Sequence, residues 1–218
     1  EMMNPGRHIV IRRYAPQDRP DVRRISYETS FLGKSQDLFD DHELVADALT
    51  LYFTEIEPQS CFVAVHDDRV IGYLIGALDE RRMNRAQWIK VYPRILTQIL
   101  RKGIFLHKKN LLFLNHVFLS FLKGEFRCPD FSIEYPAIFH INVDHGFRGD
   151  RVGERLVREY FNFLKETRSP GVHVAPMSER AAAFFVRMGL DVLFKTRRTY
   201  LKYHFGQNCP FYLLGKKF

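Results

Sequence analysis

Six consecutive residues, Arg148, Gly149, Asp150, Arg151, Val152 and Gly153, concentrate the chemistry this chain offers. They join a β-branched run at 137–143 to a long amphipathic pattern at 153–166. A helix that opens at such a loop presents unpaired backbone N–H groups and the positive end of its dipole, and neighbouring glycines and arginines favour an anion there. A phosphate-bearing cofactor is therefore expected. Asp150 is the discordant member, since a carboxylate beside a phosphate must turn to solvent or pair with an arginine.

The strand before the loop carries the second group of candidates. Alternation places His140, Asn142 and Asp144 on one face and Phe139, Ile141 and Val143 on the other. A histidine with a pKa near neutrality can relay a proton; it can equally be a hydrogen-bonded member of the sheet. Both readings stay open for His140 and for His173 on the next strand. Asn142 cannot act as a base, but it could orient a substrate.

Regular elements must position these residues. A strand is expected at 8–13, then a helix capped by Asp18 and running to about residue 30, with Val22, Ile25 and Thr29 on one face and Gly33 as its stop. Asp40 or Asp41 caps a second helix on which Leu44, Val45, Ala48, Leu49 and Tyr52 recur at helical spacing until Pro58. Strands at 61–65 and 70–78 flank a polar turn at 66–69. Residues 81–128 then read as a helical insertion, a basic helix kinked at Pro93 and ended by Gly103, followed by a shorter, largely apolar one. Beyond it come the strand at 137–143, the helix at 153–166 with Leu156, Val157, Tyr160, Phe161 and Leu164 inward, a strand at 172–174, and a helix at 178–188 stopped by Gly189. A last strand or hairpin is expected over 192–205.

With 218 residues, 46% of them hydrophobic, the chain can bury one sizeable core, and no linker or repeat divides it; one domain, 1–218, is expected. Cys61, Cys128 and Cys209 have neither disulfide nor zinc spacing, so no metal is expected. The first fourteen residues lack a secretion signal's apolar run, which points to the cytoplasm. The formal charge of +8 favours an anionic partner. No basic stripe interleaved with exposed aromatics supports specific nucleic-acid binding.

The loop and its surroundings resemble the GNAT acetyltransferase superfamily, whose acetyl-CoA pyrophosphate loop follows (Q/R)xxGx(G/A). Arg148 and Gly153 fit that pattern, and Arg151 replaces its middle glycine. Downstream, Ala181, Phe184 and Gly189 fit the superfamily's NxxAxxFYxxxGF segment, while Ser178 replaces the Asn, Phe185 the Tyr and Leu190 the Phe. Pro136, Ala137, His140, Ile141, Asn142, Gly171, Val172 and His173 are similar to a bacterial subgroup and to the acetyltransferase-like C-terminal domain of O-GlcNAcase, a domain regarded as non-catalytic.

The resemblance implies an α/β GNAT fold, a central mixed and mostly antiparallel sheet flanked by helices, with the insertion before the cofactor-binding strand. It implies transfer of an acetyl group from acetyl-CoA to an amine in a ternary complex. Backbone groups of Ile141, Asn142 and Val143 would pair with the pantetheine arm and polarise the thioester, and amides from Gly149 to Gly153, with Arg148 and Arg151, would hold the pyrophosphate. Ser178 and Phe185 would lie near the arm and sulfur, and His140 and Asn142 are the catalytic candidates. Phe185 has no phenol to protonate a leaving thiolate; Tyr200 and Tyr203 on the late strand could substitute, although their favoured reading is as amphipathic residues of a terminal strand. The alternative is a degenerate module that binds CoA or a protein without turnover. For the basic insertion a lid over the acceptor is favoured, with an oligomer contact or a membrane contact left open.

Overall fold

Asp67 and Asp68 both take left-handed backbone angles, φ 47° and 58°, and so close a two-residue hairpin whose twist matches that of its strands. The hairpin is tighter than the four-residue turn expected. It belongs to a computed structural model that describes residues 8–30, 41–104 and 107–218. Gly33 and Asp40 lie outside these.

The described elements are β1 (Val10–Arg13), α1 (Arg19–Thr29), α2 (His42–Leu51), β2 (Cys61–His66), β3 (Arg69–Ala77), α3 (Glu80–Ala86), α4 (Tyr92–Lys102), α5 (Lys108–Leu122), β4 (Ala137–Val143), α6 (Val152–Glu166), β5 (Gly171–Val174), α7 (Glu179–Arg187), β6 (Asp191–Arg198), α8 (Lys202–Phe205) and β7 (Cys209–Lys217). The strands form one sheet in the order β1-β2-β3-β4-β5-β7-β6. Every neighbouring pair is antiparallel except β4 and β5. This is the mixed, mostly antiparallel sheet flanked by helices that was expected.

Apolar side chains leave the sheet in both directions. On one face α6 lays Leu156, Val157, Tyr160 and Leu164 over Phe62, Leu74, Phe139 and Val172. On the other, α1 and the end of α2 lay Val22, Ile25 and Leu51 over Val63, Val70, Tyr73 and Ile75. Each such side chain contributes roughly 1.5–3 kcal/mol on burial. Tyr160 also donates its hydroxyl to the carbonyls of Ala77 at 3.3 Å and Ile138 at 3.2 Å, binding α6 to both β3 and β4. Gly76 makes room for it, because a Cβ there would stand 2.4 Å from the Tyr160 hydroxyl oxygen.

A buried carboxylate fixes the far end of β3. Glu57 accepts hydrogen bonds from the Tyr52 hydroxyl at 2.7 Å, the Ser60 hydroxyl at 2.9 Å and the Leu78 N–H at 2.7 Å. Three donors offset the cost of removing its charge from water. Next to it Cys61 is fully buried, and burial pushes its thiol pKa up to about 12.

Several expectations need correction. Asp18 does not cap α1 with its side chain; its carboxylate takes two hydrogen bonds from the Arg12 guanidinium, at 2.6 and 2.7 Å, and one from the Ala15 N–H. Asp41 does cap α2, accepting from the Leu44 N–H at 2.9 Å. The wider turn Tyr52–Ile56 follows α2, whose buried face takes in Ala46, Thr50 and Leu51 while Ala48 is exposed. The expected kink at Pro93 is instead a wider turn just before it, Gln87–Val91, after which Pro93 sits in the first turn of α4. β1 begins at Val10 rather than residue 8. Residues 192–205 are not the last strand: β6 is followed by α8, and β7 returns to insert between β5 and β6.

Replacing Gly76 by Ala is expected to destabilise the fold by about 1–3 kcal/mol, because the aromatic ring it would strike is locked in the core. Urea denaturation measures this, and an unchanged midpoint would show that α6 can lift from β3 without loss.

Candidate active site

β4 keeps two neighbours for only part of its length. Against β3 it is in register from Ala77 opposite Ile138 to Gly72 opposite Val143. Against β5 the register comprises only Ala137 with Val172 and Ile138 with His173, after which the strands separate. The Asp144 N–H donates to the Ile71 carbonyl on the β3 side at 2.8 Å. Strand alternation therefore turns the N–H and C=O groups of Ile141 and Val143 towards the side where β5 has departed. Buried main-chain groups require partners. An extended amide-bearing ligand laid along this edge would supply them.

The start of α6 meets that edge. A Cβ built on Gly153 would lie 3.8 Å from Ile141 Cδ1 and 3.5 Å from the Phe184 ring. No side chain caps α6, as none caps α1, α4 or α5, while Asp41, Asp79 and Ser178 cap α2, α3 and α7. The Arg155 N–H makes the first helical bond, to the Arg151 carbonyl, which leaves the N–H groups of Val152, Gly153 and Glu154 to an outside acceptor. Gly149 (φ 105°) and Arg151 (φ 56°) both have positive φ and turn the chain into the helix. Arg151 thus holds a left-handed conformation that suits glycine, at a cost of about 1–2 kcal/mol. The side chains of Arg148 and Arg151 are exposed and in no ion pair among the described residues. Gly149 has open space beside it, and the Val152 side chain is buried beneath the loop.

On the opposite face of β4 the structure brings His140, Asn142 and His173 together with a residue the sequence did not single out, Glu80. The His140 ring is open to solvent on one side and crowded by protein on the others, with Phe53 edge-on at 5.6 Å. That enclosure, and then the neighbouring His173, pull its pKa below the usual histidine value. His173 is buried, with Nδ1 2.6 Å from the Tyr135 carbonyl oxygen and Nε2 3.4 Å from Glu80 Oε2. Asn142 donates from Nδ2 to the hydroxyl of buried Tyr73 at 2.7 Å. Glu80 opens the insertion just after the Asp79 cap, and no local pattern marks it, because its neighbour His173 is brought in by the parallel pairing of β4 with β5.

Two other candidates have structural work. The Ser178 hydroxyl caps α7, accepting from the Ala181 N–H at 3.1 Å. Phe185 is buried, its ring edge-on to Phe139 at 5.6 Å and to Phe184 at 5.1 Å. Of the suggested phenols, Tyr200 packs against Phe113 and donates to Met177 Sδ at 3.6 Å, and Tyr203 stacks on His116. Both follow β6, so neither lies on a strand. A cleft of about 750 Å³ lies between α1 and α2. Its Arg23 and Arg24 are already paired with carboxylates, which makes it the weaker ligand site.

No family model and no curated protein sequence matches the chain. Solved structures do. SsHAT is 23% identical, with a TM-score of 0.71 over 96% of this chain and 98% of that one. The Drosophila melanogaster polyamine N-acetyltransferase, described as forming N-acetylagmatine, is 16% identical, with a TM-score of 0.58 over 97% of this chain and all of its own. The yncA protein of Salmonella typhimurium, solved with its cofactor acetyl-CoA, is 13% identical, with a TM-score of 0.58 over 96% and 93%. At these identities the likeness is one of fold.

Arg151→Gly is expected to stabilise the protein by up to about 1 kcal/mol, the relief of the left-handed backbone exceeding the entropy glycine adds to the unfolded chain. Chemical denaturation reads the change, and a loss of stability would mean that the Arg151 side chain contributes contacts of its own.

Proposed function

From the GNAT fold that these likenesses show, we propose that the protein is an acetyl-CoA-dependent N-acetyltransferase acting on an amine by direct attack in a ternary complex. One observation carries the reading: the uncapped start of α6 and the unpaired edge of β4 converge at Gly153 and Ile141. An anion-binding helix end next to a vacant strand edge suits a molecule with a diphosphate at one end and amides in its arm. Acetyl-CoA has that build and supplies an activated acetyl group.

Each residue then has a physical role. The amides of Val152, Gly153 and Glu154 receive phosphate oxygens, with Arg148 and Arg151 adding charge-assisted bonds. Main-chain groups of Ile141 and Val143 align the arm, and an N–H on that edge polarises the reacting carbonyl. On the face beyond, His140 takes the proton of the acceptor's ammonium; its lowered pKa keeps the ring neutral and able to accept. Asn142, anchored to Tyr73, offers its carbonyl oxygen to the acceptor. With Phe185 in the core, thiolate departs without a phenol from that position, which a thiol resembling cysteine, with a pKa of about 8.5, permits.

The subgroup resembling the O-GlcNAcase C-terminal domain is the membership we propose, on Pro136, Ala137, His140 and Gly171, Val172, His173. The three unpaired thiols favour a cytoplasmic setting. A second reading, a module that binds without turnover, is favoured by Ser178 and Phe185 being occupied structurally. Titration with acetyl-CoA followed by a screen of amines for CoA release separates the two; tight binding with no turnover on any amine favours the second.

Replacing Gly153 with Phe is expected to weaken acetyl-CoA binding by at least about tenfold, a loss of about 1.4 kcal/mol. Gly153→Ala, whose Cβ meets Phe184 at an ordinary 3.5 Å, serves as the folded control. Unchanged affinity in Gly153→Phe would move the phosphate site elsewhere.

His140→Gln is expected to lower turnover by about 100-fold or more while leaving cofactor binding intact. In the parent protein, kcat/KM should fall only as pH drops below about 6.5, because the ring with its depressed pKa gains its proton late. The same acid limb in His140→Gln, with full activity above it, would return His140 to a structural role.

A further inference from the structure

Among the described helices the one with the most sharply divided faces leaves much of its apolar side uncovered. α4 buries none of its residues. Towards the domain Ile95 packs against the core, Arg94 pairs with Glu55 at 3.0 Å, Gln98 donates to Asp47 at 3.0 Å and Lys102 pairs with Asp41 at 2.5 Å. Its apolar side looks outward through Tyr92, Leu96 and Leu100, continued by Ile89 and by Trp88, which is 73% exposed. α5 has a related asymmetry. Phe113, Val117 and Ser120 seat it on Leu201 and Thr199, and the opposite side presents Leu111, Leu114, Phe118, Leu122 and Phe121, the last 65% exposed.

Soluble domains do not ordinarily leave two apolar helix faces in water, so a partner is needed to cover them. Charge identifies its chemistry. Residues 79–136 contain eleven Lys and Arg against five Asp and Glu, which is six of the chain's eight net positive charges. Arg82, Arg85, Lys90, Arg101 and Lys123 are exposed and in no ion pair among the described residues. A second copy would set these cations against their own kind. An anionic lipid surface neutralises them and receives the apolar side chains in its acyl boundary.

We propose that the insertion is a peripheral membrane-docking unit, with Trp88, Leu96, Leu100, Phe118 and Phe121 entering an anionic bilayer surface and the free cations meeting its headgroups. No helix among the described residues is long and apolar enough to cross a membrane, so the contact stays at the interface. It is independent of acetyl transfer and needs no acetyl-CoA.

Trp88 is the chain's single tryptophan, so its fluorescence reports the contact directly. The full chain is mixed with vesicles of phosphatidylcholine, with and without phosphatidylserine, and followed by co-sedimentation and emission wavelength. Binding to the serine-lipid vesicles with a blue shift, weakened by salt and absent from phosphatidylcholine alone, is the expected result. Two surface double variants, Lys90→Glu with Arg101→Glu and Leu96→Ser with Phe118→Ser, should each weaken it by at least about tenfold while keeping the parent circular dichroism. The proposal is overturned if the parent sediments with neither vesicle, if neither double variant weakens binding, or if sedimentation velocity shows a dimer that Leu96→Ser with Phe118→Ser dissociates.

Discussion

Main-chain hydrogen-bonding capacity left over on one strand is the constraint around which this molecule is arranged. β4 satisfies one edge against β3 along its whole length and the other against β5 for only two residues. The N–H and C=O groups of half-buried Ile141 and Val143 on that side have no strand partner among the described residues. Separation of the strands is held from both sides. β3 and the Tyr160 hydroxyl tie β4 to one half of the molecule. β5 is tied to the other by its ladder with β7, while Tyr135 and Glu80 grip His173 and keep the two halves joined at the closed end of the cleft. An unpartnered strand edge is therefore built into the sheet.

Much of this could be read in the residues. The bounds of β4 were visible because a β-branched run is flanked by Pro136 and a polar loop, and α6 because its inward residues repeat at helical spacing over four turns. Both lie under dense packing, so local pattern and tertiary demand agree. What stayed hidden depended on distant chain. The opening of β4 from β5 requires β7, and β7 was not foreseen, because its run from Cys209 was overshadowed by the basic β6 before it. The wide turns Tyr52–Ile56 and Gln87–Val91 shift a helix face by one residue, which periodicity alone does not announce. Glu80 and Glu57 acquire meaning only from partners that packing brings to them.

A strand edge and a helix start that offer backbone groups place few demands on side-chain identity. Any residue supplies an N–H, so Arg151 can stand where a glycine is usual and still offer the amide, at the expense of some strain. Side chains along β4 answer instead to two different environments: Phe139 and Ile141 to α6, and His140 and Asn142 to α1 and the insertion. The two faces of one strand can therefore change independently.

Threading β7 between β5 and β6 sets an order of assembly. During synthesis from the N-terminus, β1 to β4 and α6 can pair and pack as soon as they emerge, since each finds its neighbours among residues already made. β5 cannot. Its outer ladder is formed by Leu214 to Lys217, about forty residues further on, so a nascent chain carries one wall of the cleft well before the other. Any fragment ending short of that strand would keep a folded half and a loose rim, and the window between the two events is when a chaperone or a protease would find this protein most open.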